Sequence, residues 1–290
     1  MKTIDPKEVS TAEFHSYLLS SVAPRPIAFA STTDREGNVN LSPFSFFNAF
    51  GSNPPTLVFS PNKRVRDNSG KDTLNNVYEV DEVVINMVDY SMVEQVSLAS
   101  CEYPRGVNEF IKAGFTPMSS VKVKPPRVAE SKVAFECRIR QIVSLGDQGG
   151  APNLVICEVL LAHVSEELLD ENGRIDPLKT DWVARMGGDW YCRASGEAVF
   201  EVAKPNVQVG VGVDCIPAFI RDNPLFTGND LGRLGNIHRL PDSNEVGSFK
   251  QEHASGEYLA LAKQLLEKQE VRAAWCAILA LQYEQGKSRG

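Results

Sequence analysis

Up to about Val202, apolar positions recur every second residue or in short unbroken runs. Val133, Phe135, Cys137 and Ile139 alternate with Ala134, Glu136, Arg138 and Arg140. That period predicts a half-buried strand over 133–143, with the second set toward water. The run 154–164 is almost continuously apolar and predicts a strand covered on both faces. Further strands are expected at 27–32, 39–48, 56–60 and 83–88, with turns at Asp34–Gly37 and at Asn53-Pro54-Pro55. Helices are short. Ser10 with Glu13 forms a capping-box pair that opens one over 11–19, and Ser91 with Glu94 opens another over 92–99. A third, 107–113, stops at Gly114. Strands at this spacing, with little helix between them, point to an antiparallel barrel. Beyond Val202 the pattern changes. The region is rich in turn residues, and then a single helical period is predicted from Tyr258 to about Glu284. The expected organisation is a mainly β barrel with flanking helices over 1–204 and a helical C-terminal extension over 205–290.

One stretch departs from ordinary strand chemistry. Gly37 to Asn62 contains no charged residue. Pro43, Pro54, Pro55 and Pro61 exclude a membrane helix there, since each removes a backbone donor. Asparagines and serines are interleaved with phenylalanines. Lys63, Arg64 and Arg66 follow, and then Lys71-Asp72-Thr73. An uncharged, aromatic, amide-rich pair of strands opening onto a basic loop suits a flat ring that carries a phosphate.

Charge and cysteine content narrow the choice. A net charge of −7 excludes bulk attraction to nucleic acid or an acidic membrane surface, so any anion site must be local. The six cysteines form no C-x-x-C pair, which argues against zinc and against a disulfide framework. They read as reduced, mostly buried thiols. The N-terminus lacks the apolar core of a signal peptide, and the expected location is cytoplasmic. No Walker loop, HExxH or GxSxG occurs. Gly210-Val211-Gly212 lacks the third glycine of a dinucleotide fingerprint, Cys215 standing in its place. The four histidines are scattered and read as surface or core residues.

Several motifs, taken in order, resemble one family. They are Pro24-Arg25-Pro26-Ile27-Ala28, Asn40-Leu41-Ser42-Pro43-Phe44-Ser45-Phe46-Phe47-Asn48, Asn53-Pro54-Pro55, Phe59-Ser60 and Lys71-Asp72-Thr73-Leu74-Asn75-Asn76. Further matches are Tyr103-Pro104-Arg105-Gly106-Val107-Asn108-Glu109-Phe110, Val123-Lys124-Pro125-Pro126-Arg127-Val128-Ala129-Glu130-Ser131 and Arg185-Met186-Gly187-Gly188-Asp189-Trp190-Tyr191. Over about residues 5–200 the chain resembles the flavin reductase-like proteins of the flavoredoxin type. The resemblance implies an FMN-binding split β-barrel, usually a homodimer, that accepts hydride from NADH or NADPH. It implies a small-molecule or protein electron acceptor. The extension after about 205 departs from the short members of the family.

FMN needs charge-assisted donors for its phosphate, and Ser60, Asn62, Arg64, Lys71 and Thr73 stand where they are feasible. The alternative for 63–66 is a solvated loop. Ser45, Phe47 and Asn48 are expected near the ring, with a kink breaking strict alternation. At least one of Phe44, Phe46 and Phe47 belongs to the core. Arg25, between two prolines, places a cation near the flavin or forms a surface salt bridge. Arg185, before Gly187-Gly188, sits on a turn at the mouth where nicotinamide stacks, or on an ordinary hairpin. No catalytic nucleophile or base is needed, because the cofactor carries the hydride chemistry. A flavoredoxin-like electron carrier with little direct NAD(P)H activity is the alternative function. Another enzyme on the same barrel and a flavin-free interaction module are further readings.

Overall fold

The structure is a computed structural model. It describes residues 1–63, 68, 70–205, 208–253 and 257–287. The chain divides into two compact units, Met1–Phe200 and Glu201–Gly290.

In the first unit a seven-stranded antiparallel sheet is assembled from β1 (Ala28–Thr33), β2 (Val39–Phe44), β3 (Phe47–Ser52), β4 (Pro55–Phe59), β5 (Glu82–Asn86), β8 (Val133–Ser144) and β9 (Asn153–Val164). Two two-residue strands, β6 (Pro117–Met118) and β7 (Arg127–Val128), pair separately, as do β10 (Trp182–Gly187) and β11 (Trp190–Ala194). The order in the large sheet is β2-β1-β5-β8-β9-β4-β3. Consecutive strands β2 and β3 therefore occupy opposite edges, yet only Ser45 and Phe46 join them. In a flat sheet, edges six spacings apart would lie about 28 Å from one another. The step from Phe44 to Phe47 reaches at most about 11 Å. The sheet must curl until its edges meet, leaving a barrel split along the β2–β3 seam.

The core agrees with that geometry. Ala28, Phe44, Leu57, Phe59, Ile85, Cys137, Val155 and Cys157 fall in a single buried cluster drawn from the β2 edge and the middle of the sheet, and Phe47 of the β3 edge packs against it. Phe44 on β2 and Phe59 on β4 lie 5.5 Å apart between ring centres. On the other face, Phe29 and Leu41 pack with Met92, Phe110 and Phe115. These come from the connection containing α3 (Val93–Leu98) and α4 (Glu109–Ala113).

Several expectations change. The strand expected over 39–48 is cut in two at Ser45–Phe46, because its halves serve opposite edges. Ser91 does not cap a helix. The Asp89 carboxylate accepts from the Ser91 N–H and hydroxyl and opens a 3₁₀ turn, Tyr90–Met92, ahead of α3. Helix α2 (Asp72–Glu79) was not anticipated, since two asparagines and a threonine are weak helix formers. Burial of Leu74 and Val77, one turn apart, in the barrel core fixes it. Three cysteines rather than most are buried, namely Cys137, Cys157 and Cys276, and all six are free.

The second unit contains α5 (Ala218–Arg221), α6 (Gly228–Gly235), α7 (Ser243–Glu252), α8 (Tyr258–Glu267) and α9 (Val271–Lys287). The helical period over 258–284 is two helices, broken where Gln269 takes a positive φ of 62°. Their core is separate from the barrel's and is centred on Trp275, whose indole N–H donates to the Leu234 carbonyl at 2.9 Å. Among the described residues no helix is long and apolar enough to cross a membrane.

Candidate functional site

The seam bend is the hub around which the expected site residues fall. Three groups radiate from Phe44–Asn48, each from a different residue of it.

Phe44 leads to the first group. The Lys71 ammonium lies 5.0 Å from the centre of its ring. Lys71 is also the N-cap residue of α2, and its side chain does not cap the helix. A lysine has only donors to offer and cannot accept from the first N–H groups of the helix. The α2 N-terminus therefore combines backbone donors, the positive end of a helix dipole and an ammonium group, partly balanced by Asp72 in the first turn. Thr73 is placed differently from expectation. It is buried, and its hydroxyl donates to Asn40 Oδ1 at 2.6 Å. Asn40 Nδ2 donates in turn to Glu109, whose other oxygen accepts from the Leu41 N–H, both at 3.0 Å. Burial pushes the Glu109 carboxyl above its usual range. Thr73 thus fastens α2 to β2, and its hydroxyl proton is directed inward.

Ser45 leads to the second group. Its hydroxyl lies 3.5 Å from Arg25 Nε. Arg25 is not exposed, and among the described residues it is not paired with a carboxylate. It is 5% exposed, and Nη1 donates to the carbonyls of Leu19, Val22 (2.7 Å) and Met186 (3.3 Å). Burial first, and the neighbouring Arg185 charge second, pull its pKa below the ordinary arginine value. The main chains of Arg25 and Arg185 exchange two hydrogen bonds of 2.9 Å. The surface salt bridge considered for Arg25 is absent among the described residues. Instead the guanidinium gathers the end of α1 (Thr11–Ser21), the seam and β10. Arg25→Lys keeps the charge but not the fork of donors. It is expected to cost about 2 kcal/mol, from carbonyls left without a partner. Chemical denaturation of the two proteins measures this.

Phe46 leads to the third group. With Ser60 and Asn62 it lines a cavity of ≈ 450 Å³ whose other walls include Phe14, Leu18 and Leu154. The Ser60 N–H donates to the Phe46 carbonyl at 2.9 Å. The Ser60 hydroxyl donates to Asn62 Oδ1 at 2.8 Å and accepts from the Asn153 N–H. His15 meets Phe46 edge-on at 6.0 Å. Phe47 packs on the barrel core, and Asn48 is exposed with Oδ1 accepting from the Ala49 N–H. Arg64 lies outside the described residues.

Arg185 is on strand β10 rather than in the turn. Its guanidinium lies 4.6 Å from the Tyr191 ring and donates to the Gly188 carbonyl at 2.5 Å. Buried Cys137 is pushed up to about 12 by its apolar surroundings, so it is no nucleophile at neutral pH.

Comparison with known proteins adds the family. A model described as flavin reductase like domain matches residues 20–179. The chain belongs to the flavin reductase-like family. An uncharacterized protein of Aquifex aeolicus is 39% identical over 196 residues, 68% of this chain and 97% of that protein. Among solved structures, this flavin reductase-like chain is similar to nitrilotriacetate monooxygenase component B from Bacillus cereus. The two share 31% identity with a TM-score of 0.65, over 70% of this chain and 98% of that one. It is also similar to Pseudomonas fluorescens 2-nitrobenzoate 2-nitroreductase, at 27% identity and TM-score 0.64, over 73% and 100% of the respective chains. The split barrel is thus the family's fold. The Glu201–Gly290 unit lies outside the residues the family model matches.

Glu109 and Glu136 are the site and scaffold residues that sequence reasoning missed. Glu109 stood inside the matching Tyr103–Phe110 motif. An acidic residue opening a short helix beside Phe110 was the signal available for it.

Proposed function

We propose that this chain is an FMN-dependent oxidoreductase of the flavin reductase type. It takes hydride from NADH or NADPH and passes electrons to a small-molecule or protein acceptor. The observation that carries the reading is the α2 N-terminus, whose N-cap residue Lys71 gives it no side-chain cap and holds its ammonium 5.0 Å from the ring of Phe44, the residue before the seam connection. That donor set matches a phosphate dianion. The ≈ 450 Å³ cavity, walled by phenylalanine and leucine with Ser60 and Asn62 on one side, has the composition a flat conjugated ring requires. Bound FMN supplies the two-electron acceptor ring. The protein's work is to hold two rings within transfer distance and to place donors at the ring edge where negative charge grows. Ser45, its neighbour Arg25 and backbone N–H groups of the bend are assigned that role.

A homodimer is part of the proposal. Strand β3 is a sheet edge, and Phe50 on it is 68% exposed. Phe46, Leu18 and Val22 add further exposed apolar surface. An uncovered edge of that kind is ordinarily sealed by another chain.

The absorption spectrum of the purified protein under nitrogen, before and after NADH, tests the function. A flavin spectrum that bleaches on addition is expected. Flavin that is present but bleaches only with a protein donor selects the electron carrier instead. A protein that takes up no FMN overturns both.

A further inference from the structure

The 3₁₀ turn and α3 on one side, and the β10–β11 hairpin on the other, enclose a second cavity of ≈ 360 Å³. Its walls carry an unusual combination. Arg193 lies 3.9 Å from the Tyr90 ring and is held in a two-pronged pair by Asp181, at 2.6 and 2.7 Å. Arg185 lies on Tyr191, and among the described residues it has no carboxylate partner. The Arg193 charge is thus internally balanced, whereas that of Arg185 is available. Glu94, Asp189 and Ser97 complete the lining with two carboxylates and a hydroxyl.

This combination asks for a ligand of three parts. A planar ring stacks on the guanidinium and tyrosine faces. A phosphate meets Arg185. A vicinal diol donates to a carboxylate, as ribose hydroxyls do. Nucleoside 5′-phosphates have all three. The cavity is linked to the bend through Arg185, whose main chain is paired with Arg25, whose Nε faces Ser45.

We propose that this cavity receives the ADP-ribose half of the dinucleotide donor, and that Glu94 and Asp189 select NADH over NADPH. A 2′-phosphate would bring a dianion against two carboxylates, and like charges at close range repel. The inference rests on the function proposed above, and the experiment separates the two.

The full-length, FMN-loaded protein is titrated calorimetrically with ADP-ribose and with 2′-phospho-ADP-ribose. ADP-ribose is expected to bind at least tenfold more tightly. In parallel, flavin bleaching by NADH and by reduced nicotinamide mononucleotide, which lacks the ADP-ribose half, is followed under nitrogen. Ser97 is exposed, and Ser97→Trp fills the cavity. It is expected to lower the NADH-to-mononucleotide efficiency ratio at least tenfold. Glu94→Lys is expected to narrow the difference between the two titrants at least threefold. Absence of ADP-ribose binding, equal binding of both titrants, or an unchanged ratio in Ser97→Trp with NADH bleaching intact overturns the cavity's assignment and leaves the oxidoreductase reading standing. Failure of both donors to bleach the flavin overturns that reading, and the titration still decides whether the cavity takes ADP-ribose.

Discussion

Lys71→Glu is expected to yield a folded protein that purifies without yellow colour and binds added FMN at least about 100-fold more weakly. The substitution removes a charge-assisted hydrogen bond worth about 1.5–3 kcal/mol and places a carboxylate against the phosphate dianion. The combined loss of about 3 kcal/mol or more corresponds to that ratio. Stability should change little. Lys71 is only partly buried, and its ring contact with Phe44 is worth about 0.5–1 kcal/mol. Quenching of FMN fluorescence on titration of the flavin-free protein gives the affinity, and a thermal melt gives the control. An affinity within threefold of the parent would remove Lys71 and the α2 N-terminus from the phosphate site.

Glu136→Ala is expected to produce the largest loss of stability in the barrel unit. The Glu136 side chain is fully buried. Its carboxylate accepts from the Val121 N–H at 2.8 Å, the Lys122 N–H at 2.5 Å and His163 Nε2 at 2.6 Å. It fastens the 119–126 segment over the outer face of β5 and β8, where Val84, Val123 and Ala134 pack. Alanine leaves two N–H groups and a histidine without the fully buried carboxylate that gathers them, costing about 3 kcal/mol. At roughly 2–4 °C per kcal/mol for a unit of this size, the melting temperature should fall by roughly 6–12 °C.

The same residue sets an acid limit. Burial acts to raise the Glu136 pKa, but the two N–H donors and His163 outweigh it, and the folded-state value lies below the usual 4.5. A carboxyl lowered on folding stabilises the native state above its unfolded pKa and ceases to do so as pH falls through the folded value. Unfolding free energy should therefore decline below about pH 4.5 in the parent. The decline should be shallower in Glu136→Ala.

Glu136 also shows what periodicity leaves out. It alternates with Phe135 and Cys137, and that period places it beside Arg138 and Arg140 in water. The period gives its face correctly, but the 119–126 segment covers that face, and the covering has no local signature. The strands themselves were legible, because burial of one face writes a two-residue period. The uncharged Gly37–Asn62 stretch likewise marked the seam and its cavity. Strand order was not legible, since it is decided by pairings between distant segments such as Val58 with Ile156. Arg25 was recognisable as special from its two prolines. Its partners, the carbonyls of Leu19 in α1, Val22 just after it and Met186 in β10, come together only once the chain has folded around it. Thr73 was expected in a loop as a phosphate donor, whereas its inward hydroxyl depends on Asn40, a residue far away in sequence.

The two-residue connection at Ser45–Phe46 also limits how this barrel can vary. Side chains change faces with every position along a strand, so one added amino acid there would turn Phe47 outward and present its neighbour to the interior. A longer link would let the opposite rims drift apart. The joint has no slack, and room for inserted sequence must be sought at the turns on the far ends of the strands.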